Sequence, residues 1–313
     1  MALAGPTGVG KSAVALALAP RLNAEIVVAD SMQVYRGFTV GTGKPAPADR
    51  AAVPHHGLDL VPPEAGFDAA AFRAAAAAAC AGIRARGRLP LVVAGTGLYL
   101  RALRQGLCEA PAPDPAVRRG LEAEARRLGT AALHARLRAT DPEAAARLSV
   151  NDRVRVVRAL EVFEQTGIPL SRLQAHHRDR EGPPAGLVIG LTREREDLTR
   201  RIDARVQAMA AAGLEGEVRG LLAAGGGATR PMRGLGYRHF AAVIRGEKTA
   251  GEAVRLMQRD TRRYAKRQLT WLRKEPGVLW LRLAPDEPAA VTAERILALL
   301  REQAQGETAP WSA

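Results

Sequence analysis

Short apolar runs alternate with helical patterns over the first hundred or so residues, and this alternation predicts a parallel sheet flanked by helices. Three runs predict strands: Ala2–Ala4, Glu25–Ala29 (EIVVA) and Leu89–Ala94 (LPLVVA). Leu187–Leu191 (LVIGL) and Val278–Leu283 (VLWLRL) are later candidates. Between the second and third strands, Ala69–Arg86 predicts an alanine-rich helix entered through Asp68 as its N-cap.

From Asp114 to about Gln174 the strand signals vanish, and helical patterns follow one another over Pro115–Leu128, Ala131–Arg138 and Pro142–Thr166. They predict a helical insertion. Helical periodicity returns over Leu198–Ala223 and Ala250–Arg273, separated by a glycine-rich link at Gly225–Gly227, and the tail after Gln303 is expected to fray. The chain therefore divides into a core of residues 1–113 and 180–313 and an insertion of residues 114–179, without internal repeats.

Composition narrows the setting. The chain has 313 residues, enough for one large domain or a domain plus a smaller module. Cys80 and Cys108 show no spacing for a disulfide framework or a zinc site, which suits a reducing, cytoplasmic compartment. The longest near-apolar run, Ala74–Ile83, is half a membrane span, so a soluble protein without a membrane partner is expected, as a monomer. The formal charge of +14 points to polyanionic partners, although an arginine-rich composition on its own also reads as the product of a GC-rich genome.

Chemistry enters at the first loop. Residues 5–12, Gly5-Pro6-Thr7-Gly8-Val9-Gly10-Lys11-Ser12, match the P-loop pattern G-x-x-x-x-G-K-[ST] of nucleotide-binding, and specifically ATP-binding, proteins. An apolar strand leads in and a helix leads out, so free N–H groups point at an anion. Lys11 would span phosphate oxygens and the Ser12 hydroxyl would ligate Mg2+. The expected fold is thus an α/β, P-loop NTPase-like parallel sheet flanked by helices, with an α-helical insertion.

Asp30 falls at the carboxyl end of the second strand, the edge on which open α/β sheets place ligands. It reads equally as a general base, a magnesium second-shell ligand or a cap. The third strand runs into Gly95-Thr96-Gly97, where Thr96 either reaches the same crevice or closes a tight turn. That strand does not end in the aspartate of an ordinary ATPase, which counts against a phosphoryl-transfer enzyme. Thr261–Lys274 (TRRYAKRQLTWLRK) interleaves basic residues with Tyr264 and Trp271, and on a helix Lys266, Arg267, Thr270 and Arg273 would share one broad face. A phosphate-backbone footprint and a plain solvated helix both fit, as they do for Arg153, Arg155 and Arg158. His55 and His56 follow a proline in an apparent loop, with no third ligand at metal spacing, and read as structural.

Five separated blocks agree on one family. GPTGVGKS, DSMQVYRGFTVGTGKP (Asp30–Pro45), AGTGLYLRAL (Ala94–Leu103), NDRVRVVRALEV (Asn151–Val162) and YAKRQLTWLR (Tyr264–Arg273) resemble the tRNA dimethylallyltransferases, in the family's order from end to end. The resemblance implies transfer of a dimethylallyl group from dimethylallyl diphosphate to the exocyclic amine of the adenosine 3′ of the anticodon, releasing diphosphate. The P-loop would hold the leaving diphosphate, which accounts for the missing aspartate. Asp30 would accept the amine proton, Thr96 would help position it, and Arg205, in R-I-x-x-R, would neutralise the departing diphosphate beside Lys11. The anticodon stem-loop of tRNA would be held by Asp30, Ser31, Met32, Gln33 and Thr96 and by Arg118, Arg155 and Arg158 of the insertion. Arg233, Gly236, Tyr237, Lys266, Arg267, Gln268, Trp271 and Arg273 complete that set. The target base would have to leave its stack, which a loop makes cheaper than a duplex. Ala94 stands where the family usually has glycine, and the first strand is shorter than in relatives.

Three rival readings differ in sequence. A P-loop kinase needs a carboxylate that cannot be placed, and an isopentenyltransferase acting on free AMP, ADP or ATP would not need the basic insertion or the C-terminal block. A non-enzymatic RNA-binding module leaves the P-loop and Asp30 unexplained.

Overall fold

The computed structural model describes residues 1–180 and 186–306. The core opens with β1 (Ala2–Ala4), α1 (Lys11–Leu18), β2 (Ala24–Ala29), α2 (Pro47–Ala52), β3 (His55–His56), α3 (Ala69–Ala85), β4 (Leu89–Ala94) and α4 (Gly97–Gln105). A run of helices follows: α5 (Pro115–Leu128), α6 (Thr130–Thr140), α7 (Pro142–Arg147), α8 (Arg153–Thr166) and α9 (Leu170–Arg180). The chain then adds β5 (Val188–Thr192), α10 (Arg195–Ala211), α11 (Leu214–Ala223), α12 (Tyr237–Ile244), α13 (Ala250–Leu272), β6 (Val278–Arg282) and α14 (Ala289–Gly306).

Among the described residues the six strands are all parallel, in the order β3-β2-β4-β1-β5-β6. Every residue of β1 and β2 is buried, because helices cover both faces and side chains of either parity need apolar surroundings. One face packs on α3 through Phe72, Ala76, Cys80 and Ile83, and the other on α1 and α14 through Val14, Leu18, Ile296 and Leu297. β1 is only three residues long, yet it pairs on both sides, with β4 and with β5. Its short length is sufficient for a central strand because it lacks a free edge.

Compactness separates Met1–Arg104 with Ala185–Ala313 from Gln105–Pro184. Within the second unit, Leu121, Leu133, Leu137, Val156 and Leu160 form a helical core of their own. Buried Asp141 caps α7 through the Ala144 N–H at 2.9 Å and accepts the Ser171 N–H at 2.9 Å, tying α9 to it.

The structure corrects several expectations. Pro142–Thr166 is two helices, because Asp152 caps a fresh start by accepting the Arg155 N–H at 3.2 Å. Leu198–Ala223 also splits, at Gly213, whose φ of 92° a right-handed helix does not allow. His55 and His56 belong to an edge strand and not to a loop, and β3 pairs with Ile26 and Val27. His56 Nε2 lies 2.6 Å from Oε2 of Glu25, a buried carboxylate also held by Arg86 and Arg88, whereas His55 lines the cavity at the glycine-rich loop. The helices α2, α4, α9, α12 and α14 lie outside the helical patterns read from the sequence. Asp68 caps α3 as expected, accepting from Ala70 and Ala71. The tail expected to fray lies outside the described residues from 307 onward. Both cysteines are free thiols, and among the described residues no helix is long and apolar enough to cross a membrane.

Candidate active site

The chain leaves β1 at Ala4, turns through the glycine-rich loop and enters α1 at Lys11. Gly10 sits at the helix start with φ 111°, in the left-handed region where a side chain would be strained. No side chain caps this helix, which leaves its first N–H groups for an anion. Lys11 Nζ donates to the carbonyls of Gly5 and Pro6, both at 2.8 Å. From outside, Arg201 Nε donates to the Gly8 carbonyl at 3.1 Å and Arg193 Nε to the Val9 carbonyl at 2.9 Å. Arg193 is itself buried against Asp197 at 2.9 Å, so the brace is fixed before any ligand arrives.

Asp30 follows β2 directly. Its Oδ1 accepts the N–H groups of Met32 at 2.8 Å and Gln33 at 3.3 Å, which caps the next turn and fixes the carboxyl plane. Its Oδ2 lies beside Gly95, so close that a Cβ on that glycine would approach it to 3.1 Å. Capping thus engages one oxygen of the carboxylate and leaves the other facing Gly95. Thr96 Oγ1 accepts the Ser31 N–H at 3.1 Å, while the Gly95 and Thr96 N–H groups bond to the Ala29 carbonyl. Thr96 thus both closes the turn and holds the residue after Asp30.

A cavity of about 510 Å³ opens on the P-loop. Its wall carries Lys11, Arg201 and Arg205 as cations, Asp30 as carboxylate, and an apolar stretch of Ala13, Ile26, Val28 and Val93. Burial pulls the Lys11 ammonium down from its ordinary 10.5 to about 8, opposed by Asp30 and reinforced by Arg205. Burial lowers Arg205 as well, again opposed by Asp30. Arg205 lies against residues 42 and 43: a Cβ on Gly43, whose φ is 63°, would sit 2.0 Å from its guanidinium nitrogen. Gln33 reaches the same segment, its amide nitrogen 3.2 Å from the Thr42 carbonyl.

A second cavity of about 630 Å³ shares Thr7, Asp30, Thr42, Arg205 and Tyr264 with the first. It is lined by Arg233, Arg238, Arg259, Arg263 and Arg267, with Ser31, Met32 and Asp260. Asp260 accepts from Arg238 at 2.6 Å and Arg259 at 3.0 Å, with His239 at 3.1 Å. These partners outweigh the effect of its burial and hold its carboxyl below the usual carboxylate range.

The remaining residues expected to touch RNA fall into two groups. Arg233, Lys266, Arg267, Thr270 and Arg273 are exposed. Tyr237 is not: it is fully buried, packs its ring at a tilt against Phe38 and donates its hydroxyl to Glu217 at 2.6 Å, with Gly236 buried beside it. Gln268 is buried with both amide atoms engaged, and Trp271 lies half-buried under Arg101, 4.6 Å from its ring centre. In the helical unit, Arg118 and Arg158 both pair with the buried Glu161, at 2.6 and 2.7 Å, while Arg155 is exposed. Sequence reading missed Arg193, Arg201, Arg238 and Arg259 as site residues, named Arg263 only within the basic stretch, and left Tyr264 open between that footprint and the core. Arg201 was recoverable, since it stands four residues before Arg205 and shares its helix face.

A parallel sheet with a glycine-rich loop at its carboxyl edge, a cation-lined cavity and a carboxylate bordering a second cationic cavity has the chemistry of an enzyme for anionic substrates. Two family models match: IPP transferase over residues 33–275 and isopentenyl transferase over residues 1–54. The chain is 55% identical over 289 residues to a tRNA dimethylallyltransferase of Anaeromyxobacter dehalogenans, covering 92% of this chain and 96% of that one. It is 52% identical to one from Geobacter metallireducens, covering 88% and 90%. Among solved structures, the full-length tRNA isopentenylpyrophosphate transferase of Bacillus halodurans superposes with TM-score 0.69 at 37% identity, over 97% of each chain. A eukaryotic dimethylallyltransferase acting on tRNA gives TM-score 0.81 at 24% identity, a likeness of fold. The chain belongs to the IPP transferase family of tRNA dimethylallyltransferases and is a tRNA-modifying prenyltransferase.

Proposed function

We propose that this chain transfers a dimethylallyl group from dimethylallyl diphosphate to the exocyclic amine of the adenosine 3′ of the anticodon. The observation that carries the reading is the meeting of the two cavities at Asp30, Arg205 and Tyr264. One cavity offers cations and backbone N–H groups to a diphosphate, with an apolar wall for a five-carbon tail. The other offers a guanidinium rim to RNA phosphates.

With the donor seated, the adenine nitrogen attacks the allylic carbon as the carbon–oxygen bond to diphosphate breaks. The amine proton passes to Asp30 Oδ2, the oxygen not used in capping. Lys11, Arg201 and Arg205 neutralise charge on the departing diphosphate. Magnesium fits the donor set: Ser12 stands on the cavity wall in the first turn of α1, and its hydroxyl has no protein hydrogen bond among the described residues. A hard cation of this kind is held by one or two protein oxygens together with substrate phosphates, and when bound it would supply further charge neutralisation. RNA is gripped by Arg233, Lys266, Arg267 and Arg273. The setting is cytoplasmic and the enzyme a monomer.

The test incubates the protein with dimethylallyl diphosphate, magnesium and unmodified tRNA and reads added isoprenoid by mass spectrometry. Transfer to free AMP or ATP at equal efficiency, or no transfer to tRNA, would overturn the reading.

A further inference from the structure

Gln268 lies on the inner side of α13 and is buried, at 9% exposure. Its amide oxygen accepts the Thr7 N–H at 2.9 Å, and its amide nitrogen donates to the Gly95 carbonyl at 2.5 Å. The two partners belong to different halves of the chemistry. Thr7 is part of the diphosphate cradle, and Gly95 carries the turn that rests against Asp30 Oδ2. One side chain therefore spans the gap that the reaction must cross. The same helix presents Arg263, Lys266, Arg267 and Thr270 outward, and Arg263 and Arg267 line the second cavity. A helix of 23 residues moves as a rod over one or two turns, so a shift imposed on its outer face is felt at Gln268.

We propose that Gln268 is a positioning residue that sets the diphosphate cradle against Asp30 and couples RNA docking on α13 to donor binding. This rests on the reading given under Proposed function. It differs from an RNA contact, because the side chain is buried and its amide faces two backbone groups. If RNA seats α13 and thereby Thr7, linkage requires that RNA tighten the donor and the donor tighten RNA by the same factor.

The experiment measures binding of a non-reactive thio analogue of dimethylallyl diphosphate with and without an unmodified anticodon stem-loop RNA, together with kcat for transfer. In the unaltered enzyme RNA should tighten the analogue by about fivefold or more. In Gln268→Leu that ratio should fall to about one, with RNA affinity in the absence of donor changed less than about twofold and kcat down by roughly 10- to 100-fold, the loss of one or two buried hydrogen bonds. Gln268→Glu still accepts from Thr7 but offers Gly95 no donor and sets a carboxylate beside the diphosphate cradle, so donor affinity should fall and kcat stay low. A variant that keeps the ratio and kcat overturns the proposal, as does one that loses RNA affinity alone. Hydrogen exchange on the unaltered protein is independent of any folding defect. The Thr7 amide should exchange more slowly once RNA is added without donor, and unchanged exchange would also overturn the coupling. Absence of transfer by the unaltered enzyme would instead reject the reading on which the proposal stands.

Discussion

The phenol of Tyr237 and the carboxylate of Glu217 meet at 2.6 Å, and that carboxylate also receives three successive backbone N–H groups, from Thr39, Val40 and Gly41. The segment so fastened continues into Thr42 and Gly43, against which Arg205 rests. Glu217 therefore holds the backing of a site arginine without touching either cavity. Glu217→Gln loses charge-assisted acceptance and should cost about 1–2 kcal/mol in a denaturant melt. It should also raise the donor KM several-fold while leaving RNA affinity unchanged, and an unaltered KM would separate this anchor from the site.

Asp30→Asn keeps the Oδ1 cap and removes the proton acceptor. Single-turnover transfer should fall by about 10²- to 10⁴-fold, with tRNA affinity by filter binding nearly intact. Normal turnover in this variant would exclude Asp30 as the base.

Arg205→Ala removes a guanidinium from the junction of the cavities. The donor KM should rise by roughly 10- to 100-fold, the equivalent of one charge-assisted hydrogen bond of about 1.5–3 kcal/mol. Unchanged KM and kcat would reject its role at the diphosphate.

The Lys11 ammonium, held near 8 by burial, gives donor binding a pH dependence. Without donor the charge is lost as pH rises through about 8, and a bound diphosphate raises it again, so binding takes up a proton. Affinity for the thio analogue should decline from pH 8 to pH 10, and in Lys11→Arg the profile should be flat. For stability the sign is opposite. The unfolded chain keeps this proton up to about 10.5, so the cost of burying the charge is present below pH 8 and is relieved as pH rises between those values.

Glu25 carries a stability contribution of the usual carboxylate sign. Its hydrogen bond from Arg86 is the largest cause, and His56 adds to it, so that its carboxyl is held at about 2 despite burial. The contribution is complete above its ordinary 4.5 and is lost as pH falls from there to about 2. The partners are partly exposed, which screens them, so Glu25→Ala should cost about 2 kcal/mol at pH 7 and less at pH 3 by urea melts.

Legibility in the sequence followed the length and uniformity of each signal. EIVVA and LPLVVA could be read as strands because buried parallel strands are continuous apolar runs, whereas the two histidines of β3 carry no such pattern and gain strand geometry only from pairing with Ile26 and Val27. The split at residues 148–152 was hidden because the apolar spacing continues across it while a single capping aspartate decides the break. The P-loop was legible as a local motif. The second cavity was not, since Arg238, Arg259 and Arg263 become neighbours of Asp30 only once α12 and α13 have packed. Tyr237, placed among the RNA-holding residues by the resemblance, belongs instead to the core, against Phe38 and Glu217.

A turn can be capped as well by serine, threonine or asparagine as by aspartate. At position 30 the proposed chemistry asks for more, because each of those lacks a second acceptor for the nucleobase proton. If Asp30 Oδ2 takes that proton, a drift tolerable at any other turn is closed here, since one residue serves both tasks on oxygens about two ångströms apart.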